Sequence, residues 1–162
     1  MLRVMQMDKK EKFMMRAIEI SKRSIDEGGG PFGCVIVKND IIIAEGNNQV
    51  TKNNDPTAHA EIVSIRKACN KLKTFDLNNV ELFTSCEPCP MCLSAIYWAH
   101  INKIYYGNSR KDAALIDFDD EHIYNELKLD NNQRKIQMTQ INNKEALEAF
   151  KLWEINVNKT KY

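Results

Sequence analysis

The chain has 162 residues, enough to fold as one domain with a buried core, and its 43% hydrophobic and 28% charged residues are typical of a globular protein. Its formal net charge of +1 argues against nucleic acid as a partner, because nucleic-acid binding normally requires clustered basic charge, and favours a small-molecule substrate. Residues 1–7 lack the apolar core of a signal peptide and no later stretch approaches membrane-spanning length, so we expect a cytoplasmic protein with no membrane contact.

The first half of the chain alternates between helical and strand spacing of its apolar residues. Apolar positions three and four apart predict a helix over residues 8–27, which Gly28 ends. The apolar runs 34–37 and 41–44 are separated by a polar turn, so they predict a β-hairpin. A polar loop then leads to a predicted helix over residues 58–72.

The second half continues the same alternation. A strand is predicted over residues 80–84, followed by a helix over 90–98, with Pro90 in its first turn, and a strand over 104–106. The remaining predicted elements are a helix, a short strand and a helix, over residues 119–127, 135–139 and 144–155. Because helices alternate with buried strands, we predict one α/β domain over residues 1–162, a three-layer α/β/α sandwich with a mixed central sheet of about five strands.

A metal-binding pattern is divided between two predicted helix starts. His59 lies in His-Ala-Glu, and Cys89 and Cys92 lie in Pro-Cys-Pro-Met-Cys. One imidazole and two thiolates leave the fourth tetrahedral position of Zn²⁺ open for water, whereas a structural zinc site would close it with a fourth protein ligand. We therefore predict one catalytic Zn²⁺ per chain. The odd total of five cysteines also fits thiols and metal ligation better than a disulfide framework.

Glu61 supplies the proton chemistry that such a metal site needs. It lies two residues after His59, close enough to hydrogen-bond a water at the metal without being a ligand. We expect Glu61 to take a proton from that water, which attacks an amidine-like ring carbon, and to return protons to the ring nitrogen and the departing amine. Ammonia would leave and a carbonyl would remain.

Two segments, residues 54–61 and 84–92, resemble the cytidine-deaminase-like superfamily of zinc-dependent nucleobase deaminases, on the branch that holds guanine deaminases and tRNA adenosine deaminases. The resemblance covers nearly the whole chain. Three further features resemble bacterial-type guanine deaminases in particular: Ala-Ile-Tyr-Trp ending at Trp98, Phe-Asp-Asp ending at Asp120, and a chain that ends at Tyr162. One position departs from the pattern, because Asp117 stands where a small residue is expected.

The resemblance implies the deamination of guanine to xanthine and assigns residues to the purine base. By it, Asn48, Ala60 and Asp120 hold the base, and Trp98 and Phe32 are candidates to stack on it. The resemblance also implies that Tyr162 closes the pocket, within a homodimer whose C-terminal segments are swapped. The assignment of Asp120 makes physical sense, because a carboxylate accepts from the adjacent N1–H and amine of guanine, whereas the bare N1 of adenine would repel it. The amide of Asn48 carries a donor and an acceptor for the opposite edge of the base.

Plainer alternatives remain open at the sequence level. Asn48 could be a turn residue, Asp120 a helix cap and Trp98 a core residue. Cys86, three residues before Cys89, is expected to be a buried thiol rather than a ligand. The alternative functions are a tRNA-specific adenosine deaminase, a deaminase of guanosine or other aminated heterocycles, and a non-catalytic zinc module.

Overall fold

The computed structural model describes residues 8–162, and the chain divides into two compact units. The first unit ends at Asp120 and the second is Glu121–Tyr162. The expectation about residues 1–7 lies outside the described residues, and the single-domain boundary 1–162 stays a prediction. Among the described residues, no helix has both the length and the apolar character that a bilayer crossing requires.

The elements of the first unit follow the predicted alternation of helices and strands. In chain order they are α1 (Lys9–Asp26), β1 (Gly33–Lys38), β2 (Ile41–Asn47), α2 (Val50–Asn53), α3 (Ala60–Leu72), β3 (Glu81–Cys86), α4 (Pro90–Trp98), β4 (Ile104–Asn108) and α5 (Arg110–Ala114). The second unit contains α6 (Glu121–Leu127) and α7 (Asn143–Ile155). The short helices α2 and α5 are additions, because α2 lies in a predicted loop and no element is predicted over the residues of α5.

The four strands form a mixed sheet in the order β2-β1-β3-β4. Strand β1 pairs antiparallel with β2 and β3, whereas β3 pairs parallel with β4. Because side chains alternate along a strand, the sheet has two apolar faces. One face packs on α1 through Val35, Val37 and Phe83. The other packs on α3 and α4 through Cys34, Ile36 and Leu82. The predicted three-layer α/β/α sandwich is confirmed.

The predicted strand over residues 135–139 is absent, so the sheet has four strands rather than about five. The backbone amide of Lys135 donates to the Glu126 carboxylate at 2.8 Å instead of to a neighbouring strand. Ile136, which the alternating pattern would bury, is 80% exposed. Alternating apolar and polar residues make a segment suitable for a strand, but a strand also requires a neighbouring strand with which to form hydrogen bonds. Within the described chain, residues 135–139 pair with no strand.

Candidate active site

Two helices begin at the predicted metal ligands. His59 is the N-cap of α3, and Cys89 is the N-cap of α4, both with extended backbone. Pro90 takes the first helical position of α4, where its missing N–H costs nothing, and Cys92 follows in the same turn. The positive ends of both helix dipoles therefore lie beside the ligand atoms, where they favour thiolate over thiol.

A glycine allows α3 to approach the sheet closely. A Cβ on Gly46 would lie 2.6 Å from the carbonyl oxygen of Ala60 and 2.5 Å from Ser64 Oγ, so no larger residue fits there without a shift. Ser64 Oγ also donates to the carbonyl oxygen of Cys34 at 3.2 Å. These contacts fix the first turns of α3 against β1 and β2, and with them the position of His59.

The three predicted ligands meet at one point. His59 Nδ1 lies 3.6 Å from Cys89 Sγ and 3.5 Å from Cys92 Sγ. A tetrahedral zinc ion with bonds of about 2.0–2.1 Å to nitrogen and about 2.3 Å to sulfur would separate such atoms by about 3.5–3.6 Å. In the described part of the chain, this is the group of side chains that could hold a metal ion. The donor set and its spacing therefore fit Zn²⁺, with one coordination position left over.

The electrostatics of the two cysteines differ from those of an ordinary thiol. A hydrogen bond from Cys92, aided by His59, lowers the pKa of Cys89 to about 4, despite partial burial. The pKa of Cys92 is raised, first because it donates to Cys89 and then because it is buried. The hydrogen bond with Cys89 also raises the pKa of His59. A metal ion would replace the shared protons, since a coordinating thiol is deprotonated.

Cys86 lies outside this cluster, as the sequence analysis expects. It is buried, and its thiol donates to the carbonyl oxygen of Ser109 at 3.7 Å. Burial raises its pKa to about 11, so Cys86 stays a neutral thiol at pH 7. Its sulfur does not belong to the group formed by His59, Cys89 and Cys92, so the geometry does not support Cys86 as a ligand.

Glu61 lies beside the ligands without belonging to the cluster. Only 6% of its surface is exposed, and its two oxygens have different neighbours. Thr84 Oγ1 donates to Oε1 at 2.7 Å, and Cys92 Sγ lies 3.4 Å from Oε2. Burial raises the pKa of Glu61, and the Thr84 hydrogen bond opposes that rise. A buried carboxylate next to a metal position is suited to proton transfer.

This arrangement agrees with comparisons of sequence. The zinc-binding region of cytidine and deoxycytidylate deaminases matches residues 7–108, a span that includes all three ligands and Glu61. This chain belongs to that deaminase family. A guanine deaminase of Bacillus subtilis is 48% identical over 153 residues, which cover 94% of this chain and 98% of that one. A tRNA-specific adenosine deaminase of Aquifex aeolicus is 40% identical over 98 residues, covering 60% of this chain and 65% of that one.

Solved structures within the same family share the fold. The X-ray structure of Bacillus subtilis guanine deaminase superposes with a TM-score of 0.92 at 47% identity, covering 96% of this chain and 99% of that chain. A guanine deaminase from Nitrosomonas europaea gives a TM-score of 0.66 at 31% identity, over 73% of this chain and 68% of that one.

Three of the predicted substrate residues, Asn48, Ala60 and Asp120, lie in the first unit. Asn48 is buried, and its Oδ1 accepts from the backbone amide of Val50 at 3.2 Å, which leaves its Nδ2 as a donor. Ala60 is fully buried between His59 and Glu61. Asp120 is half-buried. Burial raises its pKa, the negative charge of Cys89 adds to that rise, and Arg110 opposes it.

Two of the remaining predicted residues, Trp98 and Tyr162, are exposed. Trp98, at the end of α4, is 67% exposed, which excludes the alternative of a core residue. Tyr162 ends the second unit with 73% of its surface exposed. The binding roles assigned to both residues stay predictions.

An aromatic pair anchors the loop that carries Asp120. The rings of Phe32 and Phe118 meet edge to face, with centroids 4.9 Å apart and planes at 90°. Asp117, the residue before Phe118, has φ +68°. This left-handed conformation favours glycine, but Asp tolerates it better than most residues do. Asp117 therefore adopts this conformation at a small conformational cost.

The sequence analysis gave no role to Thr84 or Phe118. A signal for Thr84 was present, because alternation along β3 places it on the same face as Leu82, toward α3. Nothing in local spacing indicates the contact of Phe118 with Phe32, since these residues are far apart in the chain.

Proposed function

We propose that this chain catalyses the zinc-dependent hydrolysis of guanine to xanthine and ammonia. The observation that carries the proposal is the similarity to a guanine deaminase over 94% of the chain, which takes in most of Glu121–Tyr162 as well as the metal cluster. The matches to tRNA-specific adenosine deaminases cover less of the chain, 60% in the Aquifex aeolicus example. The formal net charge of +1 also does not favour a tRNA substrate, whose phosphate backbone is bound through basic residues.

The residues of the site divide the chemistry between them. His59, Cys89 and Cys92 would hold Zn²⁺, which when bound activates water as a nucleophile at neutral pH. Glu61 accepts one proton from the attacking water and passes it to the ring nitrogen. It then accepts the second proton from the new hydroxyl group on the carbon and passes it to the amine, which leaves as ammonia. A carbon–oxygen bond forms as the carbon–nitrogen bond breaks, so guanine and water become xanthine and ammonia.

We propose that Asn48 and Asp120 recognise guanine. Asn48 keeps its Oδ1 on the chain and offers Nδ2 to the carbonyl edge of the base. Asp120 accepts from the N1–H and amine edge. Adenine lacks that donor edge. A carboxylate placed against a bare ring nitrogen leaves both groups unpaired, which discriminates strongly against adenine.

A released-ammonia assay tests the proposal directly. The protein should release ammonia from guanine and form xanthine, while adenine, cytosine and a tRNA anticodon stem-loop stay unchanged. Guanosine, run in parallel, defines whether the site admits a ribose. Inosine formation in the stem-loop without turnover of guanine would overturn the proposal in favour of a tRNA adenosine deaminase.

Replacing Asp120 with asparagine should lower kcat/KM for guanine about tenfold or more, because one acceptor becomes a donor and a polar mismatch costing about 1–3 kcal/mol is left in the site. Steady-state kinetics with guanine measure the effect. The matched control is Asp119→Asn, the same change at the exposed neighbouring position, which should change kcat/KM less than about threefold, the range of surface substitutions. Equal losses in both variants would remove Asp120 from substrate recognition.

The second unit supports the further proposal of a homodimer. None of residues 121–162 is buried in the described structure. On α7, Phe150 is 73% exposed, Leu152 66% and Ile155 73%. An exposed apolar surface of this kind marks an interaction site. Sedimentation equilibrium should therefore give the mass of two chains, and a monomer at micromolar concentration would contradict the dimer.

Removing Tyr162 should lower kcat while leaving the melting temperature within about 2 °C, because an exposed terminal residue adds little to the core but can cover a pocket and exclude water. We propose that it acts in the partner subunit. Refolding the truncated chain together with a Glu61→Gln chain tests this, since only a swapped arrangement rebuilds one complete site. No recovery of activity in the mixture would place Tyr162 in its own subunit.

A cytoplasmic location fits the metal site. All five cysteines are free thiols, and two of them are the proposed ligands. The cytosol keeps thiols reduced, whereas oxidising compartments favour disulfides.

A further inference from the structure

The contact between Thr84 and Glu61 is the shortest side-chain hydrogen bond that Glu61 makes. Thr84 Oγ1 donates to Glu61 Oε1 at 2.7 Å, and Thr84 is fully buried. The proposed mechanism gives Thr84 no part. A hydrogen bond from a buried hydroxyl to a carboxylate is among the stronger ones in proteins, because one partner is charged and water does not compete.

Thr84 is held firmly enough to orient a neighbour. It lies in the central part of the sheet, where β3 pairs with both of its neighbours, opposite Cys34 on β1 and Tyr106 on β4. Its β-branched side chain has restricted χ1 freedom. Glu61, by contrast, has three side-chain torsions, so a fixed donor removes much of the freedom that its carboxylate would otherwise keep.

The two carboxylate oxygens of Glu61 therefore have separate surroundings. Oε1 is bound by Thr84, whereas Oε2 lies 3.4 Å from Cys92 Sγ, on the side of the metal ligands. When a metal ion is bound, Cys92 is a thiolate and can no longer donate to Oε2. Thr84 then remains as a side-chain hydrogen-bond donor to Glu61 among the described residues.

We propose that Thr84 is a positioning residue for the deamination, holding Oε1 of Glu61 so that Oε2 faces the metal site and carries the proton. The proposal rests on the function proposed above. The hydroxyl serves both forms of the carboxyl group, because Oε1 still accepts a hydrogen bond when the proton is on Oε2. The carboxylate thus keeps one orientation through the uptake and the return of the proton.

Four variants test the proposal. Thr84→Val removes the hydroxyl at similar shape, while Thr84→Ser and Thr84→Ala are both smaller and differ only in the hydroxyl. Thr84→Val and Thr84→Ala should lower kcat about tenfold or more, because each loses a hydrogen bond to a charged group. KM should change less than about threefold in both variants. Ser should stay within about threefold of wild type. Ser21→Ala, which removes a buried hydroxyl on α1 that donates to the carbonyl oxygen of Ile18 at 2.7 Å, is the control and should leave kcat within about twofold.

Three further readouts separate positioning from general damage. Zinc content and melting temperature should be alike in the Ser and Ala variants, so that the kcat difference between them reports the hydroxyl alone. If the valine variant does not fold, this pair decides the question. Crystal structures should show the Glu61 carboxylate in its wild-type orientation in the serine variant and rotated in the alanine variant.

Equal kcat in the Ser and Ala variants, or an unmoved carboxylate in Thr84→Ala, would overturn the proposal. A failure of the proposed function looks different, because the wild-type protein itself would then release no ammonia from guanine. In that case the orientation of the carboxylate in the crystal structures still decides the role of Thr84.

Discussion

Replacing Glu61 with glutamine should lower turnover of guanine by at least about 100-fold, because general acid–base groups contribute about 10²- to 10⁴-fold and an amide cannot carry the proton. Zinc content should remain at one per chain, since Glu61 is not among the three ligand residues. Glutamine has the same shape, and its carbonyl oxygen can still accept from Thr84. The loss should therefore appear in kcat rather than in the binding of guanine.

A matched control comes from the opposite face of the same region. Glu81 is a half-buried carboxylate on β3 whose Oε1 accepts from Lys103 at 3.2 Å, away from the metal ligands. Glu81→Gln should keep kcat within about twofold, as expected of substitutions outside functional features. A Glu61→Gln enzyme with a near-normal rate would remove Glu61 from the mechanism, whatever the control shows.

The metal site could be predicted from the sequence because its geometry is local. A Cys-x-x-Cys spacing with proline after the first cysteine places both thiols in one helical turn, as Cys89 and Cys92 lie in α4. Predicting that His59 is the third ligand required one further assumption, namely that the start of a second helix lies close to the start of α4. The three-layer fold was predictable for a similar reason, since a short continuous apolar run, as in β1, indicates a strand that is buried on both faces.

Contacts between distant segments were beyond local patterns. The Thr84–Glu61 hydrogen bond joins a strand to a helix, and the Phe32–Phe118 contact joins two loops. The periodicity of apolar residues indicates which face of a strand or helix a residue lies on. It does not indicate which residue of another element that side chain contacts. The predicted strand over residues 135–139 was wrong for a related reason, because pairing depends on an available edge.

One missed element did have a local signal. Ser109 caps α5, accepting from the backbone amide of Asp112 at 3.3 Å, while Asp112 accepts from the amide of Ser109 at 2.8 Å. This reciprocal pair is a capping box, and its Ser-x-x-Asp spacing is visible in the sequence. Helix α5 and the turn after it then carry the chain to Asp117 and the loop that bears Asp120.

Replacing Cys89 with serine should lower zinc affinity by more than about 100-fold, because even a change to a residue behind a ligand costs about 10- to 100-fold. Serine keeps the shape of the side chain but offers a neutral hydroxyl in place of a thiolate, whose pKa the surrounding groups lower to about 4. Zinc per chain, measured by metal analysis after dialysis against a weak chelator, should fall from one to near zero, and activity should fall with it.

Cys86→Ser is the control that makes this prediction specific. Cys86 is buried and lies three residues earlier, but it lies outside the ligand group, and its thiol donates to the carbonyl oxygen of Ser109 at 3.7 Å. The Cys86→Ser variant should retain one zinc per chain under the same dialysis. Its melting temperature can fall, because the buried thiol no longer packs against its neighbours. Equal loss of zinc from both variants would show that the ligand set is wrong, because the open coordination position that water needs would then be filled by a third sulfur.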